Sequence, residues 1–171
     1  MISRRHLILA GFAAMLPGYA PAAACTTAPD IAGAGPWFNS PPLSPAELKG
    51  KVVLVEFWTF GCTNCRNVEP YVKQWHERYA REGLVVVGVH TPEFAHEADP
   101  GRVTRYLAGN QIRHPVVMDN DYAVWKRWNN HYWPAMYLLN RSGELCYRHF
   151  GEGRYRETEA RIRQLLAEKG G

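Results

Sequence analysis

The sequence predicts one α/β domain built on a mixed β-sheet. Its 171 residues, of which 46% are hydrophobic, can fill one core but not two ordinary domains. Residues 52–90 have the pattern strand, helix, strand, which implies a parallel pair with a right-handed crossover. Residues 136–168 have the pattern of a hairpin followed by a helix, so a ββα half follows the βαβ half.

The first half of the predicted domain is built around an apolar run. Residues 52–58, Val-Val-Leu-Val-Glu-Phe-Trp, are β-branched and aromatic, as expected of a central strand buried on both faces. Apolar residues then recur at steps of three and four up to about Arg81, which predicts an amphipathic helix, and residues 84–90 repeat the buried-strand pattern. Before the first strand, Ser44 and Pro45 have the order of a helix cap and a first helical residue, which predicts a short helix.

The second half alternates short elements with turns. A turn of sequence Arg-Ser-Gly separates two predicted strands at 136–140 and 144–150, which should pair as an antiparallel hairpin. The other predicted elements are a polar loop at 91–100, short helices at 102–108 and 123–128, a short strand at 116–118 and a final helix at 155–168.

The first 24 residues differ in kind from the rest of the chain. Arg4 and Arg5 precede an apolar run at residues 7–16, and small residues follow, which is the order of a secretory signal peptide. The run is about half as long as a bilayer span requires. The arginine pair also fits a twin-arginine signal, so that route and the general secretory route both stay open. We expect a signal peptide at 1–24 and a mature protein in the periplasm or another extracytoplasmic compartment.

The segment after the predicted cleavage site has two features. Cleavage after Ala24 leaves Cys25 at the N-terminus, as in a bacterial lipoprotein, although an ordinary Ala-X-Ala cleavage beside an incidental cysteine is the alternative. Residues 25–35 are small and turn-forming, with too little apolar area to offset their ordering, which predicts a flexible tether. The folded domain is then residues 36–171, attached to a membrane only if Cys25 carries a lipid.

The charge of the chain argues against a nucleic-acid partner. The full sequence has 20 basic and 16 acidic residues and a net charge of +4. Removal of residues 1–24 removes two arginines and no acid, which leaves 18 basic and 16 acidic groups and a net charge of +2. The mature sequence contains no run of lysines and arginines that would follow a phosphate backbone.

The pair Cys62 and Cys65 carries the predicted chemistry. It lies where a buried strand ends and a helix begins, so the first cysteine faces unpaired N–H groups at the positive end of the helix. Such a position lowers a thiol pKa from about 8.5 toward neutrality, which makes Cys62 the candidate nucleophile. Cys65 lies one turn deeper, where it can attack a mixed disulfide on Cys62 and release the partner. In an exported chain, Cys-X-X-Cys can also be a structural link or a metal site.

Glu56 is the second candidate site residue. A carboxylate in an otherwise apolar strand is unfavourable unless it is paired or protonated, and strand alternation puts it on the same side as Leu54 and Trp58. It precedes Cys62 by six residues, close enough to pass a proton to or from Cys65 through water. The alternative is a strand-end acid that faces solvent.

The motif around these residues resembles that of the thioredoxin family. The residues that carry the resemblance are Val-Leu-Val-Glu-Phe-Trp at 53–58, the Cys-X-X-Cys pair at 62–65, and Pro70 five residues later. Glu56 stands at the buried-acid position of that family, where Asp is usual, and Pro70 at its helix-kinking proline. The resemblance implies that the predicted α/β domain has the thioredoxin fold.

Four motifs resemble the exported thioredoxin-like domains related to the TlpA group, some of which are fused to a CcdA-type membrane electron carrier. They are Trp-Phe-Asn-Ser-Pro-Pro at 37–42, Phe-Trp-Thr-Phe-Gly-Cys-Thr-Asn-Cys at 57–65, His-Thr-Pro-Glu-Phe at 90–94 and Tyr-Trp-Pro-Ala at 132–135. The resemblance covers about residues 36–168. It implies an exported thiol-disulfide oxidoreductase that reduces envelope proteins, such as apocytochrome c, with a CcdA- or DsbD-type membrane carrier as electron donor.

The resemblance also implies a substrate groove beside the cysteines. Pro134 should follow a cis peptide bond, which an X-Pro bond permits, and should border the active site. Trp58 and Trp133 should line the groove with it, although Trp133 departs from the small or β-branched residue that is usual before this proline. Glu93 resembles an acid that related reductases hold near the cysteines, here a candidate proton relay, and a solvated loop carboxylate is the alternative.

The remaining cysteine, histidine and aromatic residues give weaker signals. Cys146 lies inside a predicted strand, which favours a buried inert thiol, with a bond to Cys25 as the alternative. The histidines show no metal-ligand spacing. Trp125, Trp128 and Tyr132 favour core or groove lining over a cofactor site. We therefore expect neither a metal nor a cofactor.

Two other functions are compatible with parts of the sequence. Thr59-X-X-Cys62 matches part of a peroxiredoxin site, which would make the chain a thiol peroxidase, but Val55 stands where that motif has proline. Two thiolates can also bind Cu(I) or Zn(II), as in a non-catalytic metallochaperone. Copper chaperones of this fold use a wider Cys-X-X-X-Cys spacing, and no second close cysteine pair completes a zinc site.

Overall fold

The computed structural model describes residues 25–32 and 35–168, and the predicted signal peptide at 1–24 lies outside the described residues. The strands are β1 (Thr26–Thr27), β2 (Trp37–Phe38), β3 (Val52–Trp58), β4 (Leu84–His90), β5 (Val116–Met118), β6 (Ala135–Leu139) and β7 (Glu144–Phe150). The helices are α1 (Pro45–Leu48), α2 (Thr63–Tyr79), α3 (Pro100–Gly109), α4 (Ala123–Arg127) and α5 (Tyr155–Ala167), with 3-10 turns at Ala80–Glu82 and Ala95–Ala98. Within the described ranges, no helix is long and apolar enough to cross a bilayer.

A mixed sheet organises the described domain, in the strand order β1-β7-β6-β3-β4-β5-β2. Strands β3, β4 and β5 are parallel, and Glu56 of β3 lies opposite Gly88 of β4. Strand β6 is antiparallel to β3, with Met136 opposite Glu56, and β7 is antiparallel to β6. The predicted βαβ and ββα halves are therefore confirmed. The two-residue edge strands β1 and β2 are additions, because strands this short carry no periodicity in sequence.

The central strand β3 is buried on both faces, so a core layer lies on each side of the sheet. On one face Leu54 packs with Trp75 of α2 and Ile162 of α5. On the other face Phe57 packs edge-on against Trp128. Burying one large apolar side chain stabilises a fold by about 1.5–3 kcal/mol. The two layers together fix the position of β3 and of the chain that follows it.

The helices begin and end where local signals predict. Helix α1 begins after Ser44, whose backbone N–H donates to Glu47 Oε2 at 2.6 Å in a capping box. The extension of α2 stops at Gly83, whose φ of 104° is open to glycine without strain. The other predicted helices and strands agree with the structure to within two residues at their ends, whereas the predicted loop at 91–100 contains the 3-10 turn Ala95–Ala98.

Residues 25–32 do not form the predicted flexible tether. Thr26–Thr27 pairs with the start of β7 at the edge of the sheet, and Ile31 is buried in the core. A disulfide also joins Cys25 to Cys146, across a sequence separation of 121 residues. The prediction was wrong because it used local composition, whereas every one of these stabilising contacts is tertiary.

The cysteine at 146 also differs from its prediction. The expected inert thiol is wrong, and the alternative, a bond to Cys25, is the arrangement observed. Cys146 lies where the register between β6 and β7 shifts, which leaves it half-buried instead of in the core. A lipid on Cys25 and this disulfide cannot coexist, since both need the same sulfur atom.

Candidate active site

Cys62 and Cys65 lie at the start of α2, just beyond the C-terminal end of β3. Cys62 is the N-cap residue, with φ −75° and ψ 117°, and its Sγ accepts a hydrogen bond from the Cys65 backbone N–H at 3.1 Å. The two sulfurs form a disulfide. Cys62 is half-exposed, whereas Cys65 is only 2% exposed. A molecule that approaches from solvent therefore reaches Cys62 before Cys65.

The start of α2 favours negative charge on Cys62. The helix is 17 residues long, and its first N–H groups and the positive end of its dipole point toward the cap residue. When the disulfide is reduced, the same geometry stabilises a thiolate on Cys62 over a thiol. The pair therefore has one accessible, activated sulfur and one shielded sulfur, which is the arrangement that thiol-disulfide exchange requires.

Glu56 lies inside the sheet, so the alternative of a solvent-facing acid is wrong. Its side chain is 4% exposed. Its neighbours on the adjacent strands, Gly88 and Met136, carry no charge. Burial and, second, the negative charge of Glu69 raise the pKa of Glu56 from 4.5 to about 8. The carboxyl therefore holds its proton at neutral pH and exchanges it slightly above neutrality.

Polar side chains of α2 and α3 form a hydrogen-bonded cluster around Glu69, whose charge raises the pKa of Glu56. Glu69 accepts hydrogen bonds from Tyr106 Oη at 2.8 Å and from Lys73 Nζ at 3.1 Å. Burial and the hydrogen bond to Glu69 raise the pKa of Tyr106, so its hydroxyl remains a donor. These two donors hold Glu69 close enough to Glu56 for its charge to oppose the ionisation of Glu56.

The peptide bond between Trp133 and Pro134 is cis, and Pro134 is buried. Trp133 is half-buried, and its Nε1 donates a hydrogen bond to the Thr91 carbonyl oxygen at 3.0 Å. The Trp133 ring lies 4.1 Å from that of Trp125. Trp133 also packs against the same side-chain cluster as Cys62. The structure thus places Trp133 on the same side-chain cluster as Cys62, and Pro134 follows it in the chain.

Trp58, the third predicted groove residue, is buried in the same cluster as Cys65 and does not line an open groove. It is 5% exposed, and its ring lies 5.1 Å from His90 and 5.8 Å from Tyr106. Phe60 stacks on the same two rings. Strand alternation turns Trp58 toward the face that α3 covers. The sequence predicted that face but not the position of α3 over it.

The buried acid of the loop after β4 is Glu97, and Glu93 is exposed. Glu97 Oε1 accepts the Gly61 backbone N–H at 2.9 Å, and its Oε2 accepts the backbone N–H groups of Glu93 at 2.7 Å and Phe94 at 3.0 Å. A Cβ at position 61 would overlap Glu97 Oε1, so only glycine allows this contact. Glu97 therefore ties its own loop to the residue that immediately precedes Cys62.

Glu97 and His90 are site residues that the sequence analysis missed. His90 is fully buried at the end of β4, and its Nε2 lies 3.2 Å from Thr59 Oγ1. Burial lowers the pKa of His90 to about 4 against the opposing charge of Glu97, so the imidazole is neutral. Glu97 accepts the backbone N–H of Phe94, three residues earlier, but phenylalanine has no side-chain acceptor for a capping box, so the sequence carries no such signal for Glu97. No pattern separates a buried from an exposed histidine at a strand end.

The chain is similar to known redox proteins over most of its length. The Redoxin family model matches residues 26–166. The chain is 45% identical over 152 residues to Protein DipZ of Mycobacterium bovis and Mycobacterium tuberculosis, a match that covers 87% of this chain and 22% of DipZ. It is 29% identical over 140 residues to the thiol-disulfide oxidoreductase YkuV of Bacillus subtilis, covering 82% of this chain and 94% of YkuV.

A solved structure has the same architecture. A thioredoxin-like protein, determined in solution in its oxidised form, superposes with a TM-score of 0.75 and 29% identity over 85% of this chain and 98% of that chain. The thioredoxin fold implied by the sequence motifs is therefore confirmed. Since the family match also extends across both cysteines and the cis-proline, this chain belongs to the Redoxin family, as a thioredoxin-like oxidoreductase of the thiol-disulfide type.

Proposed function

We propose that this chain is an exported enzyme that reduces disulfides in envelope proteins through a Cys62/Cys65 dithiol-disulfide cycle. The observation that carries the proposal is one accessible sulfur at a helix N-terminus with a shielded sulfur one turn deeper. The second disulfide, Cys25 to Cys146, supports an extracytoplasmic location, because disulfides persist in oxidising compartments.

The cycle begins with the reduced pair. The Cys62 thiolate attacks one sulfur of a partner disulfide, a bond forms between these two sulfurs, and the other partner sulfur leaves as a thiolate. Cys65 then attacks Cys62 Sγ, and the mixed disulfide breaks. The partner leaves with both of its sulfurs reduced, having gained two electrons, and the Cys62–Cys65 disulfide forms. The disulfide in this structure is thus the product state of the cycle.

Glu56 accepts the proton of Cys65 in this proposal. Cys65 is shielded from solvent, so its S–H needs a nearby base before the sulfur can attack. A pKa of about 8 lies near that of an ordinary thiol, so the proton can pass in either direction between Glu56 and Cys65. Burial gives Glu56 this property, since a solvated glutamate would be too weak a base.

Trp133 and Pro134 are the proposed partner-binding residues, because Trp133 is half-exposed and packs against the same cluster as Cys62, and the cis bond joins Pro134 to it. An extracytoplasmic reductase must itself be re-reduced. We assign this step to a membrane carrier of the CcdA or DsbD type. The acceptors are disulfide-containing envelope proteins, including apocytochrome c, in cytochrome c maturation or in oxidative defence. Support for these partners is the resemblance to TlpA-type domains.

The peroxidase and metallochaperone alternatives have less support. Thr59, which would contact peroxide in a peroxiredoxin-like site, is fully buried and lies in hydrogen-bond contact with His90. For a metallochaperone, the described part of the chain has no group of three or more histidine, cysteine or acidic side chains placed to hold a metal ion. Neither alternative accounts for the buried carboxyl of Glu56.

The two cysteines should behave differently when each is replaced by serine. Cys62→Ser removes the attacking sulfur, so disulfide exchange should fall to background. Cys65→Ser keeps the attack but removes resolution, so mixed disulfides with partner proteins should accumulate. Non-reducing electrophoresis of a reaction with a disulfide-containing protein measures both. Accumulation in Cys62→Ser with none in Cys65→Ser would reverse the two roles.

The direction of electron flow depends on the reduction potential of the Cys62–Cys65 pair. For a reductase we expect a value near about −270 mV, as in thioredoxin, and for an oxidant a value near about −120 mV, as in DsbA. Equilibration in graded thiol-disulfide buffers, followed by quantitation of the reduced fraction, gives the potential. The double variant Cys25→Ser/Cys146→Ser keeps the signal specific to the active-site pair. A value near the DsbA end would overturn the assignment as a reductase.

Replacement of Glu56 by Gln keeps the side-chain shape but removes the proton acceptor. In wild type, the rate at which Cys65 resolves a mixed disulfide should rise with pH through about 8, as Glu56 ionises. Glu56→Gln should lack this rise and be about tenfold slower or more at pH 8. Single-turnover resolution measured against pH tests this. An identical profile in the Gln variant would reduce Glu56 to a tolerated strand acid.

The free energy of unfolding of the same variant, measured against pH, tests the raised pKa of Glu56 independently of the kinetics. The pKa of Glu56 is raised in the folded chain, so the folded state binds this proton more tightly than the unfolded state. Its contribution is fully present below about pH 4.5 and is lost as pH rises through about 8. Wild type should therefore lose stability relative to Glu56→Gln across that range, as measured by urea unfolding.

Glu97 and Glu93 form a matched pair of acids on one loop. Glu97→Gln leaves only one acceptor oxygen for N–H groups that now use both, so the free energy of unfolding should fall by about 1–3 kcal/mol. Glu93→Gln changes an exposed carboxyl and should stay within about 0.5 kcal/mol of wild type. Urea unfolding of both variants tests this. Equal stabilities would mean that the contacts of Glu97 add nothing to the loop.

A further inference from the structure

Several buried polar atoms near Glu56 have no hydrogen-bond partner among the residues that the structure describes. They are Trp58 Nε1, His90 Nδ1, both ring nitrogens of His114, and His76 Nδ1. Trp58 is 5% exposed and His114 is 2% exposed, so bulk solvent does not reach these atoms. Buried N–H groups are nearly always paired, and a cluster of unpaired ones beside a titrating acid calls for a functional reason.

Gly88 brings two of these groups to Glu56. Glu56 and Gly88 are in register on parallel strands, about 4.8 Å apart, and side chains at paired positions point to the same face of the sheet. A Cβ on Gly88 would lie 2.7 Å from Trp58 Nε1 and 3.4 Å from His114 Nε2. The two nitrogens therefore lie at the space that a side chain at 88 would fill, next to the side chain of Glu56.

His114 contributes polarity to this space but no charge. It precedes β5, and its carbonyl oxygen accepts a hydrogen bond from Asn39 Nδ2 at 2.9 Å, which fixes the backbone while leaving the ring free. Burial lowers the pKa of His114 to about 3, so the ring is neutral at physiological pH. A neutral imidazole has one N–H donor. A hydrogen bond from this donor to a carboxylate is stronger than one to a protonated carboxyl, so it favours the ionised form.

The other groups around Glu56 do not supply this donor. From β6 the neighbour is Met136, which is apolar, and from α2 it is Glu69, whose charge opposes ionisation. The hydroxyl of Tyr106 and the ammonium of Lys73 are already bonded to Glu69. His76 packs edge-on to His114 at 5.8 Å, and burial lowers its pKa, so it adds no positive charge. On β4, His90 contacts Thr59 through Nε2, and the unpartnered nitrogens at the Gly88 position are those of Trp58 and His114.

We propose that His114 is a positioning residue for disulfide exchange, which with the indole N–H of Trp58 hydrogen-bonds the Glu56 carboxylate when Glu56 is ionised. This inference rests on the proposed role of Glu56 as the acceptor of the Cys65 proton. The proton moves from Cys65 sulfur to a Glu56 oxygen, and His114 keeps its own proton throughout. By stabilising the charged form, His114 sets the pH at which Glu56 becomes able to accept the Cys65 proton.

The direct test is the titration of the Glu56 carboxyl in the oxidised protein, followed by carbon-13 NMR of labelled glutamate. The signal is assigned by its absence in Glu56→Gln. Wild type should titrate near pH 8. His114→Phe removes the donor and should raise the midpoint by about one pH unit, because a hydrogen bond to a charged group is worth that much or more. His114→Gln keeps a donor but cannot titrate, and its midpoint should stay near that of wild type.

His149 provides a matched control. It is also a buried histidine with an unpaired Nε2 among the described residues, but it lies on β7, opposite Met136, on the other side of Glu56 from Gly88. His149→Phe should therefore leave the Glu56 midpoint unchanged. An equal shift in His149→Phe and His114→Phe would show a general loosening of the core, and would overturn the specific role of His114.

Kinetics give the functional consequence. At pH 8 a one-unit rise in the Glu56 midpoint lowers its ionised fraction from one half to about one tenth, so resolution by Cys65 should slow about fivefold in His114→Phe and recover above pH 9. If His114→Phe does not fold, His114→Leu removes the same donor. Gly88→Ala tests the other donor, since its Cβ must displace the Trp58 N–H and raise the midpoint.

The two hypotheses fail in different ways. An unchanged Glu56 midpoint in His114→Phe overturns the role of His114, and an unchanged midpoint in Gly88→Ala overturns that of the Trp58 N–H, whatever the kinetics. A Glu56→Gln variant that resolves mixed disulfides as fast as wild type overturns the role of Glu56 in exchange. In that case the NMR midpoints still report whether His114 stabilises the carboxylate.

Discussion

The burial of β3 on both faces is the constraint on which the rest of the site depends. All seven of its residues are buried, between α2 and α5 on one side and an aromatic cluster on the other. Because the strand is fixed, the chain beyond Trp58 leaves the sheet at one point, where α2 begins and Cys62 becomes its cap. The same burial surrounds Glu56 with apolar groups and raises its pKa. One packing arrangement thus sets both the position of the sulfurs and the basicity of the acid.

Two buried glutamates beside this strand have opposite environments. Glu97 accepts three backbone N–H groups, and these bonds hold the loop against the residue before Cys62. Glu56 has its charge opposed by burial and by Glu69, so it titrates near the pH at which a thiol does. The same residue type holds a loop in one place and has a raised pKa in the other, and the difference is the number of backbone N–H donors that each carboxyl meets.

The two disulfides are separated along the sheet in a way that suits different roles. Phe150, at the end of β7, pairs beside the cis-proline, whereas Cys146 lies toward the opposite end of that strand and is bonded to Cys25. A link across 121 residues restricts the unfolded chain and stabilises the fold by about 2–4 kcal/mol. The Cys62–Cys65 link closes a loop of three residues and restricts the unfolded chain far less. The Cys25–Cys146 disulfide is suited to holding the N-terminal segment, and the Cys62–Cys65 disulfide is suited to repeated reduction and oxidation.

The sequence by itself determined the elements whose signal is local. The apolar run of β3, the helix that starts at Cys62 and the hairpin of β6 and β7 are all encoded in neighbouring residues, so their periodicity and turn chemistry predicted them. Contacts between distant segments were decided only by the tertiary structure. The tie of Glu97 to Gly61 spans 36 residues and the Cys25–Cys146 bond spans 121. The convergence of His114 and Trp58 over Gly88 has the same origin. No local pattern records these contacts, because they depend on which surfaces meet once the sheet has formed.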